Sequence, residues 1–247
     1  MSSSRMRRSP VSVVIPVLDD GRYLRRCLTA LARQRRRPLE IVVVDNGSRD
    51  HSRRVARRAG ARVVRERRRG IPAAASRGYD AARGAVIARL DADSVPAEDW
   101  VERIEAAFAR DPALAALTGP GEFGVRPPRR WRAAALLYLG TYFTVVGGLL
   151  GRPPVFGSNL AMRRSAWRAA RGDVHRRDRF LHDDLDLSIH LPGRVRVDRD
   201  LRVVISRRPL RSARALSKRA AMGVWTVVRH LPAIVRGRAA RAEGWIG

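Results

Sequence analysis

Hydrophobic positions in the first half of the chain form short continuous runs that alternate with stretches of helical spacing. The runs cover residues 11–15, 40–44, 61–64, 85–90 and 115–117. The helical stretches cover residues 24–33, 71–82 and 96–109, with one more ending near Arg58. Strands that are mostly apolar, without alternation in polarity, and that alternate with helices predict a mostly parallel α/β sheet with helices on both faces.

The second half has a different pattern. Residues 133–151 carry no charge over 19 positions, and Gly157–Asn159 leads into an apolar turn at residues 160–162. Short strands are predicted at residues 195–197 and 203–205. From Ser212 onward the pattern predicts a basic, partly amphipathic pair of helices that is broken near Pro232.

Asp91 and Asp93 follow the apolar run that ends at Leu90. Alternate side chains of an extended strand share a face, so both carboxylates can project together. Hard carboxylate oxygens suit Mg²⁺ or Mn²⁺, which often takes its other ligands from water and from a substrate's phosphates. The motif is therefore either a metal–diphosphate site or a solvated turn.

Asp45 follows the second apolar run and precedes the turn residues Asn46–Ser48. Because ligands of parallel sheets bind at the carboxyl ends of the strands, Asp45 can accept a hydrogen bond from the base or ribose of a nucleotide. The alternative is a turn that caps the next helix, since Asp and Asn favour such positions.

Five sequence blocks in order identify a family. They are residues 11–16, 42–50, 90–96, 157–164 and 183–188. Together they resemble the family-2 glycosyltransferases of the GT-A fold, and their order is far more specific than any single block. The resemblance implies a Rossmann-like GT-A domain with an acceptor-side extension. Its nucleotide-sugar-binding half would span residues 10–120, its acceptor-binding and catalytic half 121–206, and a basic helical tail 207–247.

The resemblance also implies roles for donor-side residues. Pro16 and the loop to Asp19 would line the nucleotide pocket, and Asp45 would contact the base or ribose. Asp93 would ligate Mn²⁺ or Mg²⁺ on the donor diphosphate, with Asp91 directed toward the ribose or the waters of the metal.

On the acceptor side, the resemblance makes Asp184 the catalytic base. It would take the proton of the acceptor hydroxyl in a single displacement with inversion. Asp183, where family members more often have glutamate, would contact substrate. Repulsion from Asp183 and Asp186 could raise the pKa of the base. The alternative is that these acids only complement the N-terminus of a helix.

The chain departs from the family pattern in the segment before the metal motif. Ser76 replaces the usual asparagine, and Ala75 replaces an arginine. Arg69 could contact the donor phosphates instead, or it is a solvated arginine. His182 either orients acceptor or phosphate, or is structural. The Gln-x-x-Arg-Trp signature of processive synthases is absent, which favours transfer of a single sugar.

The charge balance is strongly basic, with 51 basic and 23 acidic residues and a formal net charge of +28. The arginines are scattered and Lys218 is the only lysine, so this distribution does not indicate a selected binding surface. The net charge itself is expected to favour anionic lipid headgroups. Cys27, the only cysteine, is expected in the core, and the arginine-rich start does not resemble a signal peptide. A cytoplasmic location is expected.

The uncharged segment 133–151 is long enough to span a bilayer, but one crossing would separate Asp93 from Asp184. We expect it to be buried in the acceptor half. The alternative is an interfacial position, which its aromatic residues and flanking arginines would suit. Those residues are Tyr138, Tyr142, Phe143, Arg129, Arg130, Arg132 and Arg152. Trp225 and Trp245 in the basic tail favour peripheral membrane contact and hence a lipid-linked or membrane-presented acceptor.

Two other classes of protein compete with this interpretation. Asp91–Val95 also fits the nucleophile motif of haloacid-dehalogenase-like phosphatases, although three predicted strands precede it and Lys218 is the only candidate for their lysine. A non-enzymatic nucleic-acid-binding protein would explain the charge, but the chain has no helix-turn-helix, zinc or aromatic RNA-binding signature.

Overall fold

The computed structural model describes residues 9–124, 128, 129, 133, 137, 140–206, 208 and 213–243. Its strands are β1 (Val11–Val17), β2 (Glu40–Asp45), β3 (Arg62–Arg65), β4 (Val86–Arg89), β5 (Val95–Pro96), β6 (Leu114–Thr118), β7 (Gly121–Glu122), β8 (Leu160–Arg163), β9 (Arg194–Val197) and β10 (Val203–Val204). Its helices are α1 (Gly21–Ala32), α2 (Ser52–Arg58), α3 (Ile71–Ala81), α4 (Trp100–Arg110), α5 (Gly147–Leu150), α6 (Arg164–Ala170), α7 (Asp183–His190) and α8 (Ala213–Glu243).

The central sheet has seven strands in the order β3-β2-β1-β4-β8-β6-β9. Its pairs are parallel except those of β8, which runs antiparallel to both β4 and β6. The mostly parallel α/β fold is therefore confirmed. The turn expected at residues 160–162 is wrong, because these buried residues pair on both sides as a central strand. So short an apolar run does not distinguish a strand from a turn.

Both faces of the sheet are covered, as the continuous apolar strands predict. On one face Val13 packs in a cluster with Leu24 of α1 and Trp100 of α4. On the other, Val14 lies in a cluster with Ala74 of α3. Cys27 is buried in the first cluster, which confirms its place in the core. These two layers fix the carboxyl ends of β1, β2 and β4 along one edge.

A second sheet of three strands, in the order β5-β10-β7, lies beside this edge. Its strand β10 runs antiparallel to β5, with Val204 opposite Val95. The segment after β10 is thereby brought next to the loop that contains Asp93. Arg208 consequently reaches a carboxylate 115 positions earlier in the chain.

Helix α8 is continuous through Pro232, so the expected break into two helices is wrong. Proline leaves the carbonyl four residues earlier without its helical partner. Here Pro232 and Val228 are both exposed, and water can bind that carbonyl. The helix packs on the rest of the molecule through Ile234, which lies in a buried cluster with Leu150 and Leu185.

The uncharged segment does not form the buried element that we expected. Its described residues are mostly exposed or half-buried, with Leu137 74% and Val145 63% exposed, and Leu150 is buried. Residues 142–146 form a π-helical turn before α5. Among the described residues, no helix combines the length and apolarity needed to cross a membrane. Tyr138, Arg130, Arg132 and Trp245 lie outside the described residues.

Candidate active site

The loops after β1 and β2 are joined by hydrogen bonds at the carboxyl edge of the sheet. The amide of Asp19 donates to Ser48 Oγ at 3.1 Å, and the Asp19 carboxylate accepts the amide of Arg49 at 2.7 Å. Asp19 has a φ of 52°, a left-handed conformation that Asp tolerates better than most residues. Pro16 lies half-buried in β1 opposite Val44. These contacts fix the two loops relative to each other.

Asp45 is buried where β2 ends. Its Oδ1 accepts the amide of Ser48 at 3.0 Å, and its Oδ2 lies 3.6 Å from Nε of Arg53. Asp45 therefore closes the turn at Asn46–Ser48, but this turn does not cap the next helix, because the N-cap of α2 is His51, with no side-chain capping hydrogen bond. The same turn supports the exposed Arg69, whose Nη2 donates to the carbonyl of Gly47 at 3.4 Å. Arg69 and Asp45 therefore lie close together at the turn after β2, on one side of the carboxyl edge of the sheet.

Arg89 at the end of β4 is the centre of the charged network, and the sequence reasoning did not single it out. It is 2% exposed. Its Nη2 lies 3.1 Å from Asp91 Oδ1, and its Nη1 lies 3.3 Å from Asp184 Oδ1 and also contacts Asp183. One buried guanidinium thus connects the metal motif to the acids of α7. A charged residue inside an apolar strand was the signal for it.

Asp184 is buried at the N-terminal end of α7. Its Oδ2 accepts the amide of Gly157 at 2.8 Å. Burial, followed by the negative charge of Asp183, outweighs the opposing charge of Arg89 and raises the pKa of Asp184 to about 6. A carboxylate with this pKa is ionised at neutral pH and is a stronger base than an ordinary aspartate.

Asp186, two residues further on, is not part of this network. Its carboxylate lies against three histidines, with Nε2 of His230 at 2.9 Å from Oδ1. His182 caps α7 and donates its amide to Thr226 Oγ1 at 2.9 Å, while its Nδ1 is buried without a hydrogen-bond partner. Ser76 is buried and lines a small cavity together with Tyr79 and Asp183.

Asp91 and Asp93 have different environments. Both oxygens of Asp91 accept hydrogen bonds, one from Arg89 and the other from Ser158. Asp93 accepts two hydrogen bonds from Arg208 on a single oxygen, Oδ2. Arg208 also forms a two-pronged ion pair with Asp20, at 2.7 and 2.9 Å. The sequence reasoning assigned no role to Asp20 or Arg208. Arg208 is not distinguished from the many other arginines of the chain, and its partner Asp20 is identified only by this contact.

The surroundings of Asp93 suit a divalent cation. Burial and the charge of Asp91 raise the pKa of Asp93 in spite of the ion pair with Arg208. Because these surroundings destabilise the ionised form of Asp93, a bound cation would stabilise that form. Asp93 and Asp20 offer hard oxygen ligands, the type that Mg²⁺ and Mn²⁺ prefer. The residues present therefore fit the metal that the resemblance implies.

A family model described as "Glycosyl transferase family 2" matches residues 12–170, which is more than half of the chain. The chain belongs to this family of glycosyltransferases. The phosphatase and nucleic-acid-binding interpretations are therefore not retained.

The curated relatives match this chain over only a minor share of their own length. Glycosyltransferase AglE of Haloferax volcanii is 34% identical over 101 residues, which are 38% of this chain and 33% of the relative. An undecaprenyl-phosphate 4-deoxy-4-formamido-L-arabinose transferase of Pseudomonas fluorescens is 36% identical over 106 residues, 39% of this chain and 31% of the relative. The chain thus matches about a third of the length of these relatives.

Solved structures share the fold over nearly the whole chain. Glucosyl-3-phosphoglycerate synthase from Mycobacterium tuberculosis, in complex with Mn²⁺, UDP and glucosyl-3-phosphoglycerate, has a TM-score of 0.63 at 19% identity and covers 91% of this chain and 79% of its own. S. aureus TarS 1–349 has a TM-score of 0.60 at 15% identity, and the match covers 90% of this chain and 72% of the TarS chain. These likenesses confirm the GT-A fold.

Proposed function

We propose that the protein transfers a single sugar from a nucleoside-diphosphate sugar to an acceptor hydroxyl, with inversion at the anomeric carbon. The observation that carries the proposal is the position of Asp184. It is a buried base with a raised pKa, and Arg89 connects it directly to Asp91 of the metal motif. Membership of the family supplies the reaction class.

In the proposed reaction, Asp184 accepts the proton of the acceptor hydroxyl as that oxygen attacks the anomeric carbon. The bond from this carbon to the diphosphate breaks on the opposite face, which inverts the configuration. Arg89 and the amide of Gly157 hold the Asp184 carboxylate in place. Asp183 accepts a hydrogen bond from Arg89 as well, and its carboxylate is suited to bind the acceptor.

We assign the donor to the edge formed by the loops after β1, β2 and β4. The nucleotide side of this edge is formed by Pro16, Asp19 and Asp45. Arg69 is exposed on the same side, so its guanidinium can approach the donor phosphates. Asp93, with Asp20 nearby, would hold Mn²⁺ or Mg²⁺. That cation, when bound, neutralises charge on the leaving diphosphate. Asp91 is better placed to position Arg89 and Ser158 than to ligate the metal directly.

The decisive experiment compares Asp184→Asn with Asp173→Asn, a change at an exposed aspartate outside the network. A donor panel screened by thermal shift with Mn²⁺ first identifies the sugar nucleotide. Asp184→Asn should then bind this donor normally but lose transfer, whereas Asp173→Asn should retain both. Normal transfer by Asp184→Asn would show that the base is another residue.

We also propose that the protein acts from the cytoplasmic side and contacts the membrane peripherally, where a lipid-linked acceptor would be presented. The support comes from α8, whose exposed residues include Val224, Val228, Leu231 and Val235. Their spacing of four, three and four residues aligns them on one face of the helix. Arginines on the same helix and the net charge of +28 complement anionic lipid.

Flotation with vesicles tests this contact. Vesicles containing phosphatidylglycerol should carry the full chain at low salt. The double variant Val228→Gln/Leu231→Gln should remain unbound, while Arg103→Gln, on a helix elsewhere in the fold, should bind as the unaltered protein does. Failure of the unaltered protein to float would exclude the contact but would leave the proposed transfer reaction intact.

A further inference from the structure

A second group of possible metal ligands lies outside the proposed catalytic network. It is formed by His175, Asp186, His190 and His230, and we call it the histidine cluster. The residues come from three places: the segment before α7, α7 itself and α8. One ligand atom from each lies within 4.8 Å of all the others. The cluster therefore joins distant parts of the chain around one point.

The distances inside the cluster are those of a small coordination sphere. Asp186 Oδ1 lies 3.0 Å from His175 Nδ1, 2.9 Å from His230 Nε2 and 3.5 Å from His190 Nε2. His230 Nε2 lies 3.1 Å from His175 Nδ1. Ligand atoms around a tetrahedral Zn²⁺ are roughly 3.3–3.4 Å apart when the metal–ligand distances are about 2.0–2.1 Å. Only small shifts would therefore centre an ion among these atoms.

The outer contacts orient the ligand atoms toward the centre of the cluster. Nδ1 of His230 donates to the carbonyl of Thr226 at 2.7 Å, which leaves the lone pair of Nε2 directed at Asp186. Oδ2 of Asp186 accepts the amide of His175 at 2.7 Å, which leaves Oδ1 as the inward oxygen. Hydrogen bonds of this kind typically support metal-binding histidines and carboxylates.

His190 gives a second, independent indication. Its Nε2 is buried and has no hydrogen-bond partner of acceptable geometry. Buried polar nitrogens are normally paired, and an exception calls for an explanation such as a bound ion. The side chain of His190 is 14% exposed and its Nε2 is on the Asp186 side. An ion at the centre of the cluster would satisfy this nitrogen.

We propose that the histidine cluster binds one Zn²⁺ through His175, Asp186, His190 and His230. Three imidazoles and one carboxylate suit Zn²⁺ better than Mg²⁺ or Mn²⁺, which favour all-oxygen surroundings. Four protein ligands leave no open position, so the ion is structural rather than catalytic. The site is chemically different from the oxygen ligands of Asp93.

Zinc at this position fixes the C-terminal helix to the helix that carries Asp184. His230 lies near the middle of α8, and Asp186 is one of the buried residues of α7. The metal bonds supplement the small buried cluster of Leu185 and Ile234 between the same two helices. The four ligands are positioning residues, and their loss should loosen α8 without removing any group that contacts the donor.

Metal analysis of the full chain purified without chelator tests the proposal. We expect about one equivalent of zinc per chain, retained in Asp93→Ala and in His51→Gln, which alters an exposed histidine outside the cluster. His190→Ala should lose at least about tenfold in zinc affinity, because even the loss of an outer-shell partner of a ligand typically costs about 10–100-fold. Zinc that disappears in Asp93→Ala and persists in His190→Ala would overturn the assignment.

Cobalt binding gives a second measurement, and it uses the unaltered protein, so it does not require that a variant of the histidine cluster folds. The chelator-treated, unaltered protein titrated with Co²⁺ should develop the intense visible absorption of a four-coordinate ion, with an endpoint at one equivalent. Six-coordinate cobalt on Asp93 would absorb only weakly. Zinc at a hundredfold excess over its Kd should raise the Tm by roughly 5–10 °C. An apoprotein with neither response would disprove the site, whatever the outcome for sugar transfer.

Discussion

The backbone amide of Gly157 lies 2.8 Å from Oδ2 of Asp184 and donates a hydrogen bond to it. The other oxygen of the same carboxylate lies 3.3 Å from Nη1 of Arg89. Asp184 is thus held between a neutral donor from the loop before β8 and a buried cation from β4. Neither support comes from the helix that carries the acid.

Gly157→Ala should inactivate transfer without preventing donor binding. A Cβ at this position would lie 2.1 Å from Oδ1 of Asp184 and 2.8 Å from Cζ of Arg89, so the carboxylate must move. Displacing a reacting group by about 1 Å can cost about 10²-fold in rate. The matched control is Gly172→Ala, where an added Cβ meets nothing within 4 Å. Steady-state kinetics with equal kcat for both variants would contradict this role of Gly157.

Arg89→Met should destabilise the fold strongly. Removing the guanidinium leaves the buried carboxylate of Asp184 and the half-buried carboxylates of Asp91 and Asp183 without their common partner, and breaking a buried ion pair costs about 3–5 kcal/mol. Arg103→Met breaks the partly exposed pair with Asp99, which should cost less than about 1 kcal/mol. Urea unfolding of the two variants measures the difference. Equal losses of unfolding free energy would show that Arg89 does not hold the acids together.

The rate of transfer should fall as the pH is lowered through about 6. The base must be ionised, and the pKa of Asp184 is raised to about 6 by burial and by the charge of Asp183. Activity is therefore present above this pH and lost below it. The measurement is kcat against pH at saturating donor and metal, because protonation of Asp93 would otherwise reduce donor binding. A kcat that does not change between about pH 5 and pH 7 would contradict the assignment.

Most of the fold of residues 10–120 could be predicted because the strands there are buried on both sides. The runs ending at Ile15 and Val44 correspond to β1 and β2 almost residue for residue. Strand β8 could not be predicted in this way, since a run as short as residues 160–162 reveals its partners only in three dimensions. The continuity of α8 depends on the exposure of Pro232, which a local pattern does not report.

The acids of the candidate site could be predicted, but the cations that connect them could not. Asp93 and Asp184 stand in sequence blocks that resemble a known family, whereas Arg89 and Arg208 are two among 51 basic residues. Arg89 had a local signal, its place in an apolar strand, and Arg208 had none. The histidine cluster was equally hidden, because His175 and His230 are 55 positions apart and meet only when α8 packs on α7.

Arg208→Gln should strengthen the binding of Mn²⁺ in the absence of nucleotide. The guanidinium donates to Oδ2 of Asp93 and pairs with both oxygens of Asp20, so it neutralises the carboxylates that a divalent cation would need. Two cations that share ligands oppose each other, and removing one should tighten the other by about tenfold.

Calorimetric titration with Mn²⁺ measures this competition, with Arg103→Gln as the control for loss of a partly exposed arginine. Experiments on the His190→Ala background keep the histidine cluster from contributing to the signal. Asp93→Ala should abolish the binding in the same assay, because it removes the carboxylate itself. Unchanged or weaker Mn²⁺ binding by Arg208→Gln would mean that the arginine and the metal occupy Asp93 together, with Arg208 supporting the metal site instead of competing for it.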